Sequence, residues 1–75
     1  MKSFTVSSDV AGTVWKVAIA VGDAVNAEQD LVILESMKME IPSAAPRAGV
    51  VLQIRVAEGE VVVEGQPLVV IELGE

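Results

Sequence analysis

Cysteine and histidine are both missing from this 75-residue chain. Without cysteine, neither a disulfide nor a thiolate metal site can brace the fold. Without histidine, the commonest general base and the commonest metal ligand are gone, and with them serine–histidine and cysteine–histidine nucleophile chemistry. Basic residues are scarce: five lysines and arginines stand against eleven acids, a net charge of −6. That balance argues against nucleic acid, whose binding rests on cations neutralising phosphate, and against an anionic membrane surface. Long apolar runs are absent too. Nothing of signal-peptide length follows Met1-Lys2-Ser3-Phe4, and no stretch approaches a membrane span. The reading left standing is a soluble, cytoplasmic chain with a protein or a small molecule as partner. The loop acids Asp23, Glu58, Glu60 and Glu64 follow no calcium-loop spacing, so no metal is expected and they read as solvating charge.

What is present is a sequence 52% hydrophobic but only 3% aromatic, and rich in valine. Its length fits one domain, residues 1–75, which buries only about 60% of its extended-chain surface and is therefore of modest stability. Sliding the chain along itself by 37 residues aligns positions 11–35 with 48–72 without a gap, and ten of those 25 positions are identical. Each unit opens on a glycine (Gly12, Gly49) and a β run. Each turns at Gly22-Asp23 or Gly59-Glu60, where glycine supplies positive φ without strain. Each closes on an unbroken apolar strand, Leu31-Val32-Ile33-Leu34 or Leu68-Val69-Val70-Ile71. Such β-branched runs bounded by turns fit strands buried in a sandwich, and no segment keeps helical spacing. The expected fold is all-β: two sheets face to face, with the halves related by a pseudo-two-fold axis. Trp15, matched by Leu52, reads as a core or half-exposed packing residue.

Between the two units stands Glu35-Ser36-Met37-Lys38-Met39-Glu40, and its lysine is one of only three. The repeat places Lys38 opposite Glu75, so the first unit runs on through this segment where the second simply ends. Lys38 is then expected at one pole and both chain termini at the other. If residues 31–36 and 39–43 form a hairpin, its loop is Met37-Lys38 alone. Two-residue loops favour glycine, asparagine or aspartate because positive φ is needed, and forcing other residues costs roughly 1–3 kcal/mol each. Local rules broken inside a consistent sequence tend to mark functional places. The alternative is one uninterrupted strand over residues 31–41 with Lys38 merely solvated.

The hexad resembles the attachment motif of biotinyl domains, the carrier modules of biotin-dependent carboxylases. The chain as a whole resembles free-standing single-domain biotin/lipoyl attachment proteins and equally an excised carrier domain of a larger carboxylase. The flanking Gly12-Thr13-Val14, Gly22-Asp23, Ala45-Pro46, Ala48-Gly49-Val50-Val51 and Gly65-Gln66-Pro67-Leu68 agree, so the likeness runs from about Val10 to Leu73. It implies a flattened barrel-sandwich of two four-stranded antiparallel sheets with the lysine at a hairpin tip. It further implies that a biotin protein ligase joins biotin to Lys38 through an amide. The arm would then carry CO2 as carboxybiotin from a biotin carboxylase site to a carboxyltransferase site. Met37 and Met39 correspond to the flanking methionines; Glu35, Ser36 and Glu40 complete the surface the ligase would meet. Serine stands at position 36 where the family most often has alanine, Asp9-Val10-Ala11-Gly12 replaces a Pro-Met-Pro-Gly opening, and no protruding thumb insertion occurs. Lipoyl carriers share the fold but usually have aspartate before and alanine after the lysine, so lipoate is the lesser expectation. An unmodified sandwich used only for protein contact is the third.

Overall fold

The computed structural model describes residues 2–73, among which there is no helix. Eight strands follow in order: β1 (Lys2–Ser7), β2 (Gly12–Val17), β3 (Ala24–Val25), β4 (Asp30–Ser36), β5 (Met39–Ala44), β6 (Gly49–Ile54), β7 (Val61–Val62) and β8 (Pro67–Leu73). They form two four-stranded sheets, ordered β1-β8-β6-β3 and β5-β4-β2-β7, and every pairing is antiparallel. The uninterrupted-strand alternative is overturned. The chain doubles back after Ser36, which pairs with Met39.

The two apolar runs bury more residues than simple alternation allows, and the register explains how. In β4 against β5, and in β8 against β1, the pairing slips by one residue, at Leu31 and at Leu68. An extra residue at a bulge changes which face its neighbours occupy. Leu31 and Val32 are therefore both buried, as are Leu68 and Val69. Leu34 and Ile71 complete the facing layers, with Val14, Val51, Val25 and Val62 filling between them. A second slip lies in β2 and β6, between Val14 and Lys16 and between Val51 and Gln53. Trp15 and Leu52 are the supernumerary residues there, and Trp15 is accordingly half-exposed, at 52%. Each slip lets Val17 or Ile54, three places on from the buried Val14 or Val51, pack against the same core.

The glycine turns are built alike. Gly22 has φ +94° and Gly59 has φ +90°, each in the third place of a turn. The turns are closed by Asp23 N–H donating to Ala20 O (3.0 Å) and Glu60 N–H to Ala57 O (3.1 Å). Their carboxylates then accept in return: Asp23 Oδ2 from Ala20 N–H (2.9 Å) and Glu60 Oε1 from Ala57 N–H (3.1 Å). Glu58 Oε2 accepts from Val17 N–H, 41 residues away, at 3.1 Å. These three acids are structural acceptors, so reading them as mere solvation is corrected.

Register also fixes the poles. β2 begins beside the end of β4, whereas β6 begins beside the end of β8, where Gly49 pairs with Leu73. Leu73 in turn faces Lys2. The body measures 37 × 18 × 17 Å. Four strands at roughly 4.8 Å spacing are too narrow to account for its length, so the long dimension runs along the strands. The β4–β5 turn lies at one end of it, and Lys2 and Leu73 at the other. The expected counterpart of Lys38, Glu75, lies outside the described residues.

Candidate functional site

Met37 and Lys38 are the whole loop of the β4–β5 hairpin, with φ values of +53° and +64°. Both sit in the left-handed region, as the tightest hairpin turns demand, although neither is a residue such turns favour. Met37 is 92% exposed and Met39 63% exposed; Lys38 is exposed as well. Neither methionine fills the core. Lys38 is thus set, exposed, on the outermost turn of a hairpin whose strands pair right up to the loop.

The acids of the hexad are brought together. Glu35 and Glu40 are direct cross-strand partners, both exposed. At such positions Cβ atoms lie roughly 5 Å apart, and like charges there are mildly destabilising. The lysine stands just beyond them, so the tip carries two negative charges and one positive. Ser36 pairs with Met39 and is half-buried at the base of the turn. Beneath it, Gly12 presses on the hairpin. A Cβ there would come within 2.6 Å of Glu35 O and 3.4 Å of Ser36 Cβ, so only glycine allows β2 to approach this closely.

Ser8 is a residue that sequence reasoning missed. It is the buried polar side chain among the described residues, 2% exposed, and its hydroxyl bonds to the backbone of Val10. Its N–H donates to Gln66 O at 2.9 Å, and its carbonyl accepts from Gly65 N–H at 2.7 Å. The β1–β2 connection and the β7–β8 turn are thereby tied together at the lysine pole. The exposed Val61 and Val63 lie on that same side. The facing of Glu35 and Glu40 was available from sequence, since both are equidistant from the centre of a two-residue loop. Burial of Ser8 left no such signal.

Among the described residues no group of three or more His, Cys, Asp or Glu stands close enough to hold a metal ion. An open cleft of about 410 Å³ lies between the edge strands β1 and β5, lined in part by Phe4, Val6, Asp9, Pro42 and Pro46. No residue of the hexad borders it. No helix is long and apolar enough to cross a membrane.

Comparison with known proteins agrees with this fold. The family model described as biotin-requiring enzyme, of the biotin/lipoyl type, matches residues 1–71. A biotin/lipoyl attachment protein of Bacillus subtilis is 48% identical over 64 residues, which are 85% of this chain and 88% of that protein. A biotin carboxyl carrier protein of Streptococcus mutans is 43% identical over 67 residues, 89% of this chain but 52% of that one. Among solved structures, a single-chain, multi-domain long-chain acyl-CoA carboxylase superposes with a TM-score of 0.91 at 37% identity. The match covers 97% of this chain and 7% of the carboxylase.

Proposed function

This chain belongs to the biotin/lipoyl family of biotin-requiring enzymes, and from that premise we propose that it is a biotin carboxyl carrier loaded at Lys38. The observation that carries the reading is the exposed lysine on a two-residue turn at the far end of a stiff body. The site fits the group. Covalent attachment needs an accessible amine and room for a long arm, and Lys38 on the outermost turn provides both.

A biotin protein ligase is the first partner. The Lys38 amine bonds to biotin's carboxyl carbon, loses a proton, and displaces whatever group has activated the carboxyl. Met37 and Met39 offer apolar contact on either side, and the paired Glu35 and Glu40 offer charge to a basic surface. Acylation removes the lysine's charge and leaves that acidic pair uncompensated, so loaded and unloaded tips differ electrostatically. When bound, biotin supplies a ureido nitrogen that takes up and hands on a carboxyl group. The chain's own part is mechanical. It holds the tether's root in place and keeps the arm at a high effective concentration before the biotin carboxylase and carboxyltransferase that use it. No group of its own acts on substrate.

The test is loading by a biotin protein ligase, followed by intact mass and streptavidin capture. A gain of one biotinyl group is expected, and it is lost entirely in Lys38→Arg. Retention of the gain in that variant would place attachment elsewhere. A chain that takes lipoate in place of biotin would belong with the lipoyl carriers, and one that takes neither would be a contact module.

A further inference from the structure

We propose that Met37 and Met39 form a paired oxidation site at which methionine sulfoxide blocks loading of Lys38; the inference rests on the carrier reading above. They are the two methionines among the described residues, and both are far more exposed than a core thioether, at 92% and 63%. Met37 departs from two local rules at once. It is apolar in open solvent, and it takes a left-handed turn position that asparagine or glycine would fill more readily. Folding gains nothing from either choice. The thioether earns its place when another protein covers it, as soft, adaptable methionine surfaces do. There is no cysteine thiol in the chain to react first.

The oxidant is a peroxide. One of its oxygens transfers to the methionine sulfur as the O–O bond breaks. The sulfur is oxidised by two electrons, and the peroxide leaves as water or an alcohol. The product is a polar, chiral sulfoxide where an apolar, flexible group stood, which disrupts methionine-lined contacts. A thiol-dependent sulfoxide reductase reverses it, taking the oxygen as water while two thiols become a disulfide. Both sulfurs hang from the tip, away from the buried layers of Leu31, Leu34, Leu68 and Ile71, so the fold is untouched.

The experiment treats the chain with dilute hydrogen peroxide and maps sulfoxides by peptide mass spectrometry. Biotin loading is then timed before treatment, after treatment, and after methionine sulfoxide reductase with its thiol reductant. Oxidation at Met37 and Met39 is expected to slow loading about tenfold, the equivalent of one good apolar contact, with full recovery after reduction. The far-ultraviolet circular dichroism stays unchanged throughout. In a Met37→Leu, Met39→Leu double variant, each rate is compared with that of its own untreated sample, and the ratio stays near unity although Met1 is still present. Equal loading before and after oxidation, loss that the reductase does not restore, or equal loss in the double variant each overturns the inference. A chain that never loads, treated or not, sinks the carrier reading and this inference with it.

Discussion

At one end of the molecule β4 and β5 are joined through Met37-Lys38. At the equivalent place in the other sheet, β8 and β1 lie side by side with no direct link. The 37-residue offset carries Ser36 onto Leu73 and Met39 onto Lys2, and both pairs are partners in register. Even the bulges correspond, at Leu31 and Leu68. The open pair shows that this sheet geometry forms without a tight turn to enforce it. The backbone strain of the closed pair, about 1–2 kcal/mol for each left-handed residue, is therefore not needed to align the strands. What the closed turn adds is a fixed place for Lys38. The rows behind the two ends differ in the same sense: Glu35 faces Glu40, whereas its twin Glu72 faces Ser3. The two left-handed loop residues and the like-charged pair thus stand together at the lysine end, without counterparts at the open pair.

The comparison can be broken most forcefully in the shared core. Leu34 and Ile71 occupy equivalent, fully buried positions, so alanine at either should cost about 2–5 kcal/mol in urea unfolding. Similar losses support equivalence; a loss confined to one half would refute it. Next come the glycines. Alanine at Gly12 collides with Glu35 O and at Gly49 with Glu72 O, and each change should cost about 1–3 kcal/mol as overpacking does. Only Gly12→Ala, which disturbs the base of the hairpin, should also slow biotin loading at temperatures where both variants are folded.

A smaller effect separates the two polar turns. Glu28 has φ +65° where its counterpart Gly65 has φ +87°. Gly65→Ala should lose about 1 kcal/mol and Glu28→Gly should gain up to about half as much, since relief of strain is offset by added unfolded-state entropy. A Glu28→Gly variant less stable than the parent in thermal unfolding would show that this side chain is needed there. Smallest is Glu40→Thr, expected to stabilise by a few tenths of a kcal/mol by removing a like-charge pair while slowing ligation. An unchanged ligation rate would take Glu40 out of the recognition surface.

Much of this arrangement was legible in the chain. The apolar runs at 31–34 and 68–71 and the glycine turns are local patterns, and local patterns survive without coordinates. The hairpin was harder, because Met37 and Lys38 carry no turn signal, and only the repeat and the family likeness singled them out. The bulges at Trp15 and Leu52 were hidden because a strand that slips one residue no longer alternates, and the eye reads the extra apolar residue as core. The roles of Glu58 and Ser8 depend on contacts between segments far apart in sequence, which neither composition nor spacing encodes.

Because Lys2 and Leu73 adjoin at the end remote from the lysine, anything grafted onto either end leaves the tip unobstructed. The body then has the proportions of a lever: a slight pivot at its root sweeps Lys38 through an arc scaled by the domain's full length, so displacement of the lysine can come from the joint as well as from its own side chain.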